Sequence, residues 1–365
     1  MRRFLSAAGW LMLGVSLALV LLEIGLRFLP VPVGLFRTNR YDQWPLQSYE
    51  PGRSYTFASS WALRNPHRGT TNNYGHIAPF DFKPASSPVI VMGDSFVEAL
   101  MNGYDDTLQG RLAVLLDAPR KVYGLGVSGL SISDYLGLSR LARDEFSPSA
   151  AVIVISDGDI SESVYGGIGH YSFGLKGGRV ELGYRPLSGE STLKNLRMRI
   201  GDSSLYRYMQ GSLGFTPGNL FKWAHRPPAV SAKPAEEPRP DRLFPVVDAF
   251  LRELPPALGV PPRCIAFLLD SDRYAIYKPE LATKRKDDPE LRQYFMQQAT
   301  ALGFRAADLD PVFRRAYARD KVKFDYWPLD RHWNAIGHDV AAHKAYQLLF
   351  QPLNADCRPG QRLAP

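Results

Sequence analysis

Two kinds of apolar run stand out along the chain. From residue 4 to residue 22 the positions are apolar on every face of a helix, over roughly the ~20 residues needed to cross a bilayer's hydrocarbon. Met1-Arg2-Arg3 precedes this run, and no small-x-small cleavage site interrupts its continuation to Pro30, so an uncleaved anchor is expected rather than a removed signal peptide. The positive-inside tendency keeps Arg2 and Arg3 in the cytoplasm and puts the chain beyond Pro30 outside it, with Arg27 pulling mildly the other way. The second kind, short runs bounded by turns, predicts buried strands at 88–92, 121–127, 151–155, 264–269 and 304–309. Stretches between them predict helices over 96–116, 134–143, 248–258 and 289–302, and Asn334 is a good N-cap for a terminal helix over 335–350.

Strands alternating with helices at this spacing indicate an α/β fold with a mostly parallel sheet. Residues 30–87 read as turn-rich. The rhythm is interrupted after the third strand: 171–184 alternates around Lys176-Gly177-Gly178-Arg179 and predicts a β-hairpin, 193–209 a helix, and the proline- and charge-rich 226–240 a solvated loop. No internal repeat is visible. The expected organisation is a cytoplasmic tip and anchor over 1–30, then one domain over 31–365 with an insertion at about 162–242.

Composition narrows this little: 45% hydrophobic and 22% charged residues are ordinary for a globular chain. The net charge of +8 is dispersed, with only Lys284-Arg285-Lys286 as a run, so nucleic acid is not the expected partner. A basic surface suits anionic lipid headgroups or an acidic polysaccharide equally well. Two cysteines exclude a disulfide framework and a cysteine-rich metal site. Cys264 lies in an apolar run and reads as a buried strand thiol, though it can bridge to Cys357 if the domain is exported.

In open α/β sheets ligands bind beyond the carboxyl ends of the strands. Three polar or glycine-rich sequences fall there: Gly93-Asp94-Ser95, Gly126-Val127-Ser128-Gly129 and Ser156-Asp157-Gly158-Asp159. A serine on a tight strand-to-helix turn exposes its hydroxyl beside helix amides able to stabilise an oxyanion, although Ser is also a common N-cap. Asp330-Arg331-His332-Trp333-Asn334 is more specific. Residues two apart in an extended segment face the same way, so Asp330 can orient His332, and His332 can take the Ser95 proton. His338 and His343 are expected on the last helix and His67, His76, His170 and His225 in loops, in solvated or capping roles. A metal held by Asp330, His332 and His338 has no further ligand cluster to support it, so neither metal nor cofactor is expected.

These residues resemble the blocks of the GDSL/SGNH hydrolase superfamily: Gly93-Asp94-Ser95-Phe96, Gly126-Val127-Ser128-Gly129, Ser156-Asp157-Gly158-Asp159 and Asp330-Arg331-His332. Asn72-Asn73-Tyr74-Gly75-His76-Ile77 and Leu22-Glu23-Ile24-Gly25-Leu26-Arg27 also resemble segments of membrane-anchored bacterial members. The resemblance implies a flavodoxin-like α/β/α domain with Ser95 as nucleophile, His332 as base and Asp330 as orienting acid. Ser95, Gly129 and Gly158 occupy the oxyanion-donor positions, but Gly158 stands where the family has an asparagine side chain. One residue rather than two separates Asp330 from His332, similar to the alginate-acetylation type with its Asp-x-His-Trp sequence, whose members transfer acetyl groups to extracellular polysaccharide. Asp94, Trp333 and Asn334 are then expected to face substrate, and Trp327 and Trp333 could stack on sugar rings. The implied activity is that of a periplasm-facing serine esterase or O-acyltransferase on acylated small molecules or polysaccharide, held by one inner-membrane helix, with polysaccharide-assembly proteins as partners. The competing expectation is an inactive module that binds glycan or a partner.

Overall fold

The computed structural model describes residues 2–35, 37–40, 46–176, 179–186, 203–215, 240–282, 287–328, 330–351 and 357–360. The five apolar runs are strands: β1 Val89–Gly93, β2 Val122–Gly126, β3 Ala150–Ile155, β4 Ile265–Leu269 and β5 Arg305–Asp308. Every residue of β1 to β4 is buried, which is why they read as unbroken apolar runs, whereas β5 at the sheet edge is half-exposed. They pair in parallel in the order β5-β4-β3-β1-β2, with Val89 opposite Val122 and Ala150, and Ile265 opposite Ala151.

The principal helices are α1 Arg2–Arg27, α2 Ser95–Glu98, α3 Leu108–Leu115, α4 Ile132–Phe146, α5 Asp159–Glu162, α6 Pro240–Leu258, α7 Pro289–Ala301, α8 Asp310–Asp320 and α9 Ala335–Leu349. Right-handed crossovers send the β1-to-β2 connection to one face of the sheet and the return from β2 to β3 to the other. Accordingly α3 packs with α9, while α4, α6 and α7 pack in series, giving a three-layer α/β/α architecture. The strand order reverses between β1 and β3, so a crevice opens at their carboxyl ends, where Ser95 and Asp157 lie.

Several elements differ from expectation. The predicted helix over 96–116 is broken: α2 ends at Ala99 in the left-handed region (φ +50°), and α3 begins only at Leu108 behind a Thr107 cap. A side chain at Gly110 would meet Tyr104 O at 2.2 Å, so the intervening turn folds back onto α3. α8 has no counterpart in the sequence reading because only Phe313 and Ala316 of its residues are buried, too few to print an apolar stripe. The stretch expected as turns holds two antiparallel ribbons, Arg37–Arg40 with Leu46–Tyr49 and Ser54–Ser59 with Arg64–Thr70. The hairpin is present as Tyr171–Lys176 against Arg179–Tyr184. Ser204–Arg207 is helical, but most of the predicted 193–209 helix and residues 226–239 lie outside the described residues.

Contacts divide the chain into two compact units, 1–36 with 53–69 and 189–234, and 37–52 with 70–188 and 235–365. In the first, Gly9–Arg27 of α1 has a mean hydropathy of 2.0 and is long and apolar enough to cross a membrane or serve as a signal sequence. Glu23 near its end accepts hydrogen bonds from Ser203 Oγ and the Ser204 and Leu205 amides. The second unit carries the sheet and every candidate site residue. Cys264 and Cys357 are disulfide-bonded there, fastening the segment after α9 to the start of β4.

Candidate active site

Ser95 is the first residue of α2, immediately past β1, so its amide has no partner within its helix. Asp94 caps the helix by accepting from the Phe96 amide at 3.0 Å. Asp330 and His332 lie on Asp330–Trp333, a short strand paired with Asp325–Tyr326. Asp330 Oδ1 accepts from the His332 amide at 2.9 Å and contacts Nδ1 at 2.6 Å. A carboxylate only accepts, so Nδ1 carries the proton, Nε2 is the acceptor, and the Ser95 hydroxyl donates to it at 2.7 Å. Desolvation lowers the His332 pKa, but the Asp330 hydrogen bond and the charges of Asp330, Asp94 and Glu98 outweigh it and hold the imidazole above its ordinary range. For Asp330 burial works upward, and the bonds and charge of His332 outweigh it to hold the carboxyl low.

The strand bearing the histidine is braced from behind. The buried Arg273 guanidinium donates to Asp325 at 3.3 Å, to the Ser271 carbonyl at 3.2 Å, and to Asp270 and the Arg331 carbonyl. Trp333 is fully buried and donates from Nε1 to Asp270 at 2.9 Å, so it packs against this brace and does not face substrate. Asn334 is likewise structural: its carbonyl oxygen caps α9 through the Ile336 and Gly337 amides, and its amide nitrogen donates to the Lys323 and Asp325 carbonyls. These two corrections have one cause, since the residues after His332 turn inward to start α9.

Asp94 is buried but lines the cleft, and it belongs to a second network. Ser156 Oγ lies 2.9 Å from Asp94 Oδ2 and 2.8 Å from Asp159 Oδ1, and Asp159 Oδ2 accepts from the Ser156 amide and from Tyr135 Oη. One hydroxyl proton cannot serve two carboxylates, so one of the two acids must be protonated. Burial and the charge of Asp94 push Asp159 well above the usual carboxylate range, and burial raises Asp94 as well, so the two acids hold the proton as a coupled pair beside the serine. A cleft of about 280 Å³ adjoins this group, lined by Phe96, Asp157, Asp272, Tyr274, Arg331 and His332 among others.

The two glycines expected as oxyanion donors are not equivalent. Gly129 sits in the loop after β2 with φ +80°, a conformation open to glycine. Gly158 donates its amide to Asp287 at 3.1 Å, and the same carboxylate takes the Ile160 and Ser161 amides at the start of α5. Gly158 therefore offers neither a side chain nor a free amide, and its expected oxyanion role does not hold.

Among the other histidines, His338 lies on the terminal helix as expected. It is fully buried, accepts from the Leu108 amide at 3.1 Å and is held neutral by burial, its pKa lowered to about 3. His76 is buried as well, and His225 lies outside the described residues. Among the described residues no group of His, Cys, Asp and Glu side chains could hold a metal. Sequence reasoning missed Arg273, Asp270, Asp287 and Glu98. Asp270-Ser271-Asp272-Arg273 directly follows β4, so the rule that located the other strand ends would have found it. Asp287 and Glu98 carry no local signal.

No protein-family model and no curated protein matches the chain. Among solved structures it is similar to a member of the lipolytic protein G-D-S-L family from Veillonella parvula, with a TM-score of 0.36 and 9% identity over 72% of this chain and 98% of that one. A putative lipolytic protein of the G-D-S-L family from Desulfitobacterium hafniense gives 0.35 and 11% over 72% and 99%. An α/β hydrolase enzyme from the metagenome of Lake Arreo, Spain, gives 0.36 and 14% over 73% and 96%. At these scores it is the strand order, not the likeness, that defines the architecture.

Proposed function

We propose that the chain is a serine esterase or O-acyltransferase of the GDSL/SGNH type, acting on acyl, chiefly acetyl, esters of an extracytoplasmic carbohydrate. The observation that carries this reading is the continuous hydrogen-bonded series Asp330–His332–Ser95, with both imidazole nitrogens within 2.7 Å of their partners. Ser95 Oγ attacks the acyl carbonyl as His332 Nε2 takes its proton, and the imidazolium formed is stabilised by Asp330. The oxyanion is received by the Ser95 and Gly129 amides. Collapse returns the proton from His332 to the departing alkoxide and leaves an acyl-enzyme. Water or a sugar hydroxyl, deprotonated by His332, then takes the acyl group. The disulfide supports an oxidising compartment, and with α1 as an inner-membrane anchor the second unit faces the periplasm, where polysaccharide-assembly proteins are candidate partners.

A second reading, an inactive module that binds glycan or a partner, is favoured by one observation: the Gly158 amide is engaged by Asp287, leaving the oxyanion site short of a donor. Loss of one donor costs about 10²–10³ in turnover without removing it. The full chain in detergent micelles, assayed with p-nitrophenyl acetate and with acetylated glycans, separates the two. Turnover abolished by Ser95→Ala and His332→Ala supports the enzyme. Folded wild-type protein that matches the Ser95→Ala background on every ester and glycan refutes it.

A further inference from the structure

Glu98 lies one turn beyond Ser95 on α2, is 2% exposed, and takes no part in the proton path. Its carboxylate accepts three hydrogen bonds: from Tyr49 Oη, from the Ser128 amide at 3.2 Å, and from Ser128 Oγ. The other side of the same residue is also held, because Arg37 donates to the Ser128 carbonyl at 2.6 Å. Arg37 and Tyr49 come from the two strands of one ribbon and are directly paired across it. We propose that Glu98 and Arg37 are positioning residues that clamp the Ser128–Gly129 peptide and so aim the Gly129 amide as an oxyanion donor. This rests on the reading of Gly129 as such a donor.

The geometry comes from the planarity of the peptide. In a trans unit the carbonyl and the following amide point in opposite directions, so fixing the Ser128 carbonyl on Arg37 turns the Gly129 N–H away from Arg37. Holding the Ser128 amide on Glu98 removes the remaining freedom of that residue. Gly129 then turns the chain at φ +80° into α4. α2 and the strand leading to the loop are also locked together, since a side chain at Gly126 would meet the Glu98 amide at 2.3 Å. The clamp matters more here than in a site with a side-chain donor to spare, because Gly158 contributes neither side chain nor amide. Burial raises the Glu98 pKa, opposed by its hydrogen bonds from Ser128 and Tyr49 and by the Arg37 charge. All three groups donate to the carboxylate, and its negative charge strengthens each of those bonds relative to a neutral acceptor.

The test uses the full chain in detergent with Glu98→Gln and Arg37→Met. Arg37 is exposed, so its replacement leaves folding intact even if Glu98→Gln is poorly folded. Hydrogen exchange of residues 127–131 is followed together with p-nitrophenyl acetate kinetics and inhibition by phenylboronic acid, which mimics the tetrahedral adduct. The expected result is faster exchange in both variants, kcat lowered about 10²-fold in Glu98→Gln, as for loss of one oxyanion donor, and about 10-fold in Arg37→Met. KM stays within about twofold and boronate affinity falls in step with kcat, a pattern that general loosening of the fold does not produce. Unchanged exchange at 127–131, or unchanged kcat and boronate affinity in folded Arg37→Met, overturns the clamp. Absence of Ser95-dependent turnover in wild type removes the esterase reading instead, and the exchange data still decide the clamp.

Discussion

Replacing Asp330 by asparagine distinguishes this dyad from one in which the carboxylate only selects a tautomer. In many triads the amide can flip its NH₂ toward the imidazole and drive the proton to the wrong nitrogen, a loss of about 10⁴ in kcat. Here Asp330 Oδ1 takes both Nδ1–H and the His332 backbone amide, at 2.6 and 2.9 Å. An NH₂ in that place would face a backbone donor, so the asparagine carbonyl must occupy it and the active tautomer survives. What is lost is the negative charge beside the imidazolium. At about 4 Å, with an effective dielectric between roughly 20 and 40 for this half-buried pair, that charge contributes about 2–4 kcal/mol, or about 30- to 1000-fold in kcat. The pH profile carries a second signature. His332 is held above its ordinary range largely by Asp330, and only the neutral imidazole is a base, so the acid limb of kcat/KM lies above the ordinary histidine value in wild type. In the variant that limb moves down. The assay is kcat/KM for p-nitrophenyl acetate from pH 5 to 9. A 10⁴-fold loss with an unmoved acid limb would refute the shared-oxygen argument, and no loss at all would refute the dyad.

Ser95→Ala removes turnover to background while leaving the melting temperature within a few degrees, checked by calorimetry on the same samples, because the side chain is only partly buried. Cys264→Ser with Cys357→Ser loses about 2–4 kcal/mol in a urea titration, below the ~4.6 kcal/mol that the chain-entropy relation gives for a separation of 93 residues. The active-site strands do not contain the bridge, so turnover at 25 °C persists; its loss in folded protein would show the bridge to be coupled to the site. His338 is neutral when folded and charges readily when unfolded, so stability falls by up to about 1.4 kcal/mol per unit as pH drops from about 6.5 toward about 3. Its imidazole proton signal should not titrate between pH 5 and 8, and a titration in that window would contradict the burial argument. Gly126→Ala places a methyl group 2.3 Å from the Glu98 amide nitrogen and 2.6 Å from the Val97 carbonyl carbon. Backbone cannot yield as a side chain can, so a loss of more than about 3 kcal/mol, or failure to accumulate folded protein, is expected.

The sequence alone determined the elements whose burial is uniform. β1 to β4 are apolar at every position because helices cover both faces of the sheet, and the Asn334 cap is a local set of hydrogen bonds that needs no tertiary partner. The residue types at the strand ends, with Asp330 two positions before His332, named the candidate triad for the same reason: their chemistry is set by identity and short spacing. What lies across the fold was decided only by tertiary structure. Ser95 and His332 are 237 residues apart in the chain yet share a hydrogen bond, because β1 ends where the α9 entry strand passes. Trp333 reads the same whether it faces a sugar or the core, and the side was chosen by Asp270, at the end of a different strand. Glu98 and Asp287 look like ordinary surface acids in sequence. Burial among backbone amides and hydroxyls converts them into clamps, since a carboxylate removed from water must find its donors within the fold, and those donors come from segments that no local pattern connects.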